Sequence, residues 1–180
     1  ATFLPRGNIL GSAMVLLTIE GAKPRTLLVS GDLGRPHHPI LTPPTDPPDA
    51  DVVLVESTYG DRRHEDAAAL ARFEETIKRT AARGGTIVIP SFAVDRTEVL
   101  LLHLRRLVRE GRVPNLPVYV DSPMALAALE VYRRAIAVGG IEIRPDFAGD
   151  GDPFDPGNLI AAHTVEDSIA INDAPGPSII

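Results

Sequence analysis

Four short strings hold the side chains best suited to chemistry. Ser30-Gly31-Asp32-Leu33-Gly34-Arg35 places one acid between glycines, which let a ligand come close to the backbone. Glu56-Ser57-Thr58-Tyr59-Gly60-Asp61-Arg62, Pro90-Ser91-Phe92-Ala93-Val94-Asp95-Arg96 and Val120-Asp121-Ser122-Pro123-Met124 each follow a short apolar run. Carboxylates, serines and arginines at the carboxyl ends of strands are where α/β sheets gather functional groups, so three polar turns on one edge form a candidate site. Each also has a plainer use: Ser57, Ser91 and Ser122 as turn or N-cap residues, Asp95 and Asp121 as the starts of helices, Asp32 as a turn acid. The chain has no cysteine, which excludes a thiolate metal cluster, a disulfide framework and a cysteine nucleophile. Any metal or nucleophile must use His, Asp, Glu or Ser.

Charge sharpens the picture. The 180 residues carry 18 Lys plus Arg against 24 Asp plus Glu, a formal net charge of -6. Seven of the acids, from Asp146 to Asp173, follow Arg144 with no basic residue among them, so the first 145 positions are near balance. Sixteen of the 18 basic residues are Arg, whose planar fork suits bidentate phosphate contacts, although a source or codon bias accounts for that composition equally well.

The positioning elements follow from periodicity. Ile9 to Ile19 and Thr26 to Ser30, punctuated at Gly21-Ala22-Lys23-Pro24, predict a hairpin. Six prolines in the thirteen residues Pro36 to Pro48 predict an extended surface loop. The strands Val52 to Val55, Thr86 to Ile89 and Val118 to Val120 alternate with amphipathic helices over Asp66 to Arg83, Arg96 to Glu110 and Met124 to Val138, which predicts parallel βαβ units. Leu159 to Ala162 and Ser168 to Ile171 read as further short strands, and a last apolar run begins at Pro177. With 44% hydrophobic residues the chain can build a core, and no apolar run reaches the length of a transmembrane helix. The absence of a signal-peptide layout at Ala1 to Arg6 makes the cytoplasm the expected compartment. The first and last residues fall within apolar runs, so a fragment lacking both ends of a longer polypeptide is expected.

Taken in order, five strings resemble the β-CASP branch of the metallo-β-lactamase superfamily, a branch of RNA-processing nucleases. They are Gly7-Asn8-Ile9-Leu10-Gly11-Ser12-Ala13, Ser30 to Arg35, Glu56 to Arg62, Pro90 to Arg96 and Val118 to Ala125, and they cover nearly the whole chain. The resemblance implies an α/β fold, in which part of a metallo-β-lactamase αββα domain (strands within 9–32) occupies residues 1–56 and a parallel-sheet β-CASP domain, incomplete at its C-terminus, occupies 57–180. It implies hydrolysis of RNA phosphodiester bonds with two zinc ions in the full-length parent, where two ions flanking one phosphate activate water and steady the leaving oxygen. Asp32 matches the aspartate that bridges the metals. Glu56 matches an acid that supports a metal-binding histidine from behind. Arg62, His64, Ser91, Arg96 and Ser122 fall on the face toward the substrate and are expected RNA contacts, Arg96 for a phosphate.

Two departures weigh against an intact enzyme. Asn8 stands at a family histidine-ligand position, and Asp95 stands where the family has glycine, setting a negative charge beside the expected phosphate path. The remaining metal-binding histidine motifs would lie outside residues 1–180. The chain alone is therefore expected to be inactive and to hold no zinc stably, with RNA as partner, no membrane association, and a homodimer left open for the full-length protein. The alternative is a catalytically inactive RNA-binding or scaffold subunit; a small-molecule hydrolase is disfavoured by the strand-helix region after Ser57. The five histidines do not complete a site: His37 and His38 read as surface residues, His103 as a packed or partly exposed helical residue, His163 as a turn residue, and His64 equally as a site or N-cap residue.

Overall fold

In the computed structural model, residues 1–62, 66–147 and 151–180 are described. The chain divides into two compact units, one of Ala1–Arg63 with Ala135–Ala148 and the other of His64–Arg134 with Gly149–Ile180.

The first unit is built on the hairpin, with an added strand at each side. Strands β1 (Thr2–Pro5), β2 (Ala13–Ile19), β3 (Arg25–Val29) and β4 (Val52–Leu54) form a sheet in that order, antiparallel except for the β3–β4 pair. The β2 strand begins at Ala13 rather than Ile9. The backbone from Arg6 to Ser12 closes into a loop (Arg6 N to Ser12 O, 2.9 Å), and the Ser12 hydroxyl accepts the amides of Asn8 and Ile9, which removes those donors from a ladder.

The proline-rich stretch is not a surface loop throughout. Ile40 and Leu41 are fully buried, Leu41 bridges Ile143, and Arg144 N donates to Ile40 O at 2.9 Å. Prolines forbid a ladder here but not burial of the apolar residues between them. His38 is buried with them at 1% exposure, contrary to its expected surface position, because its Nδ1 accepts the amides of Ile40 and Leu41 and so satisfies backbone donors that the loop cannot pair otherwise.

The second unit is the parallel α/β element. Its sheet runs β5 (Thr86–Ile87), β8 (Ser178–Ile179), β6 (Val118–Val120), β7 (Leu159–Ala161), every pair parallel. The helices α1 (Asp66–Ala82), α2 (Arg96–Arg109) and α3 (Pro123–Ala137) lie where the 3.6-residue pattern predicts them. The fourth helix, α4 (Val165–Ile171), replaces the strand expected at Ser168 to Ile171. Its start explains the difference: the Thr164 hydroxyl accepts from Asp167 N while the Asp167 carboxylate accepts from Thr164 N, a capping box that nucleates a helix in a short segment. The inner face of α2 packs Leu101, Leu104 and Leu107, and Ile77, Leu129, Tyr132 and Phe154 complete the core. Truncating a fully buried Leu129 to Ala costs about 2–5 kcal/mol in such a setting.

One element changes sheets relative to expectation. Val52–Leu54 pairs with β3 in the first sheet and not with β5, so the strand before Glu56 is an edge strand of the first unit. The apolar run that suggested a buried parallel strand is exposed, with Val52, Val53 and Leu54 each more than half accessible. Consequently the three polar turns do not share one sheet edge: Glu56 belongs to one sheet, Ser91 and Ser122 to the other.

Candidate functional site

In the first unit the chain beyond β3 is drawn tightly against the loop that precedes β2. A Cβ added to Gly34 would stand 2.0 Å from the Arg6 carbonyl oxygen and 2.5 Å from the Gly7 carbonyl carbon, so only glycine allows the two backbones to meet. This contact brings the Asp32 loop against the strand of residues carrying Asn8. Asp32 itself is exposed.

Glu56 fixes that loop from the other side. Its Oε1 accepts from Leu33 N at 3.0 Å and its Oε2 from Thr58 N at 2.8 Å, while its own amide donates to Ser30 Oγ at 3.1 Å. The two backbone amides, Leu33 first and then Thr58, hold its carboxyl below the ordinary glutamate range, with a smaller contribution from the Arg6 charge. Glu56 is therefore a permanently charged clamp across the residues flanking Asp32. Arg62 is exposed and turned onto its neighbour, Nε to Asp61 Oδ1 at 3.0 Å, with its guanidinium 5.9 Å from the Tyr59 ring centre. His64 lies outside the described residues.

In the second unit, Ser91 and Ser122 come together. They line one cleft of about 300 Å³ at the carboxyl ends of β5, β6 and β8, with Thr97 and Asp121 as further polar groups and Leu100 and Leu104 among the apolar ones. Arg96 is the exposed first residue of α2, between Ala93 of the preceding loop and Thr97, both of which line the cleft. Ser122 also caps: its Oγ accepts from Ala125 N at 3.2 Å ahead of Pro123 at the start of α3, so cap and cleft roles coincide. Asp121 accepts from Ser168 Oγ at 3.0 Å.

Asp95 departs from both roles expected of it. It precedes α2 but its side chain makes no capping bond. It does not lie on the surface as a charge beside the phosphate path either. It is 6% exposed, points inward and accepts the Tyr132 hydroxyl at 3.0 Å. Its backbone has φ 70 and ψ -50, and Arg96 N bonds Val94 O at 2.9 Å, a γ-turn that costs strain for any residue with a Cβ. One turn later Glu98 is fully buried, and no side chain among the described residues donates to its carboxyl oxygens; only the Asp95 and Glu98 backbone amides favour its charged form. Desolvation, with the nearby Asp95 charge added, pushes its carboxyl up to about 7. Sequence reasoning missed Tyr132 and Glu98, yet one signal was present: Glu98, Leu101, Leu104 and Leu107 share the helical spacing of the buried face, and an acid in that register is anomalous.

Among the described residues no three His, Asp or Glu side chains come together as a metal ion requires. Asp32 is a single exposed donor and an amide at position 8 is a poor zinc ligand, so these residues do not by themselves fit a two-metal centre.

An antiparallel-edged sheet carrying a glycine-flanked aspartate, joined in one chain to a parallel α/β unit, defines the class of molecule. The Beta-Casp domain family matches residues 97–180. The chain is 40% identical to Ribonuclease TTHA0252 of Thermus thermophilus over 97% of its own length and 39% of the relative's. It is 32% identical to cleavage and polyadenylation specificity factor subunit 3-I of Arabidopsis thaliana over 97% of this chain and 24% of that one. Against an RNase J-like protein of Methanocaldococcus jannaschii the identity is 34% over 72% of this chain and 31% of the relative. The chain belongs to the β-CASP branch of the metallo-β-lactamase superfamily, a family of RNA-processing nucleases, and it spans less than two fifths of the length of these relatives.

Proposed function

We propose that this chain is part of a metal-dependent ribonuclease of the β-CASP type that hydrolyses RNA phosphodiester bonds, with residues 1–56 in its metallo-β-lactamase domain and 57–180 in its β-CASP domain. In this reading Asp32 would serve as a zinc-ligating carboxylate of the full-length protein. Glu56 sets the Asp32 loop by holding Leu33 and Thr58. Arg62, His64, Ser91, Arg96 and Ser122 contact the RNA, in a cytoplasmic protein for which a homodimer is open. The names of the relatives, two of them ribonucleases, support RNA as the substrate class. Among the described residues no helix is long and apolar enough to cross a membrane.

The observation that carries the RNA-binding part is the exposed Arg96, set at the head of α2 beside a cleft whose rim holds Ser91 and Ser122. A guanidinium beside a helix N-terminus is a phosphate-binding arrangement. Replacing Arg96 by Ala should weaken binding of single-stranded RNA about evenly across sequences and reduce the slope of log affinity against log salt by about one. Unchanged affinity and slope would remove Arg96 from the contact set.

A second reading, a noncatalytic RNA-binding subunit, is favoured by Asn8. The two share the RNA interface and part on catalysis in the full-length protein, where chelator-sensitive RNA cleavage supports the first and RNA binding without cleavage supports the second. The 180-residue chain alone should not cleave RNA; robust cleavage abolished by EDTA would show that its own residues suffice.

A further inference from the structure

The head of α2 holds an arrangement that neither RNA contact nor metal binding accounts for. Asp95 occupies the position whose carbonyl accepts the first helical amide, Val99 N at 2.9 Å. An aspartate there ordinarily adopts an extended backbone and caps the helix with its own carboxylate. Here it does the opposite: its φ is 70, it makes no capping bond, and its carboxylate is directed inward to the Tyr132 hydroxyl. Asp95 thus has two competing uses, one strained and buried, the other relaxed and solvent-facing. The groups buried beside it decide between them.

Glu98, one turn on, is one of these. It is 0% exposed, no side chain among the described residues donates to either oxygen, and Asp95 is the charge that acts upon it. Among the described residues the neighbouring elements carry the following titratable groups. The strands β5 to β8 carry Tyr119 alone, and α3 adds Tyr132, Glu130, Arg133 and Arg134. Glu130 and Arg134 face solvent, and Arg133 is tied to Asp152. On α2 itself Arg96 is exposed, His103 lies two turns further along, Arg105 donates to the Asp152 carbonyl, and Arg106 and Arg109 lie in the last turn. A Glu98 carboxyl so placed beside the Asp95 charge is compatible with burial only while Glu98 holds a proton.

We infer that Asp95 and Glu98 form a proton-linked latch on the loop that carries Ser91 and Arg96. With a proton on Glu98, Asp95 stays inward on Tyr132 and Arg96 is open to meet a phosphate. When Glu98 loses that proton, Asp95 turns outward to cap α2, its backbone strain is relieved, and its carboxylate comes to lie beside Arg96. The loop then presents a neutralised guanidinium. The raised Glu98 titration, up to about 7, sets the switch close to neutrality.

The inference rests on Arg96 as an RNA contact, and the measurements separate the two. Affinity of the chain for a short oligouridylate is measured at constant salt between about pH 5.5 and 8.5, alongside hydrogen exchange of the 92–96 amides without RNA and corrected for intrinsic rates. The wild-type affinity should fall above neutrality by up to about tenfold per pH unit, the signature of one linked proton. Glu98→Gln, which cannot ionise, and Asp95→Gly, which needs no strain to hold φ 70, should both bind with a flat profile. Exchange at 92–96 should quicken with pH in wild type and not in either variant.

Folding of Glu98→Gln is followed by its melting temperature. The folded carboxyl titrates above the ordinary 4.5, so the unfolded chain gives up its proton first as pH rises. Wild-type stability is lost between about 4.5 and 7, and Glu98→Gln should melt higher than wild type at pH 8 and converge with it in acid. A wild-type exchange profile that does not change with pH, or a variant that keeps the wild-type slope, overturns the latch even if RNA is bound. Exchange that behaves as stated in a chain that binds no RNA upholds the latch and removes the RNA reading of Arg96.

Discussion

Glu56 and Glu98 are the same residue type, each within a few residues of the group proposed to meet the ligand, and the molecule drives them to opposite charge states. At Glu56 two backbone amides converge on an accessible carboxylate and hold its titration down. At Glu98 no side chain among the described residues donates, and desolvation outweighs the nearby Asp95 and Glu98 amides and pushes it up to about 7. Donors fix the charged form and burial fixes the neutral one. The first unit thus has a clamp that stays charged across the neutral range, whereas the second has a group whose charge changes within it. Two loops that serve one proposed substrate differ in whether their geometry is permanent or conditional.

The largest test of the permanent side is Gly34→Ala. The new methyl would stand 2.0 Å from the Arg6 carbonyl, and the atoms it meets are backbone, which cannot swing aside. A loss of about 3 kcal/mol or more is expected, read as a fall in melting temperature of several degrees. A variant that melts with wild type would mean that the two loops do not touch as described, and the contrast with the second unit would lose its basis.

On the conditional side, Tyr132→Phe is next in size. It deletes the phenol that donates to a 6%-exposed Asp95 and leaves the ring packed against Phe154, centroids 6.3 Å apart. Removing a hydrogen bond to a buried carboxylate costs about 1–3 kcal/mol, measured by urea unfolding near pH 6 where the latch is closed. The same change should bring the pH response of the Arg96 loop to lower pH, since Asp95 is then held inward less firmly. Unaltered stability would show that Tyr132 does not hold the turn.

Ser122→Ala is smaller, about 1 kcal/mol, because it removes one helix cap and leaves Pro123 at the start of α3. It sharpens the comparison by separating two roles. A variant that loses the cap energy yet keeps its RNA affinity would make Ser122 a structural residue of the cleft rim.

How far the sequence alone reached follows the range of the forces involved. The helices α1, α2 and α3 were legible because their apolar spacing and glycine or proline stops are local. The strand Val52–Leu54 was legible as a strand, but which sheet takes it depends on a pairing with β3 some twenty-five residues earlier, which no local pattern records. Ser168 to Ile171 reads as a strand because it is a short run with two β-branched isoleucines, while the decisive signal for α4, Thr164 with Asp167, sits upstream of that run. In the site, Asp32, Glu56, Ser91 and Arg96 were reachable as residue types in strand-end turns. The inward turn of Asp95 was not, since it depends on Tyr132 from another helix. Residue type marks where polar groups gather, and tertiary partners decide which way they face.

The smallest expected effect lies at Glu56, and it carries the comparison to its opposite sign. Its folded titration is lowered, so its contribution to stability is full above the ordinary glutamate value and is lost as pH falls through the folded one. Glu56→Gln keeps one acceptor oxygen but no charge, so the difference in melting temperature between wild type and variant should be constant from neutrality down to mildly acidic pH and shrink only in strong acid. At Glu98 the corresponding difference grows as pH rises from 4.5 to about 7. The exposure of Glu56 keeps its effect small, because solvent screens what the two amides give. A difference that instead varies across the neutral range would mean that the Glu56 carboxyl is not held by Leu33 and Thr58, and the loop bearing Asp32 would then be as conditional as the loop bearing Arg96.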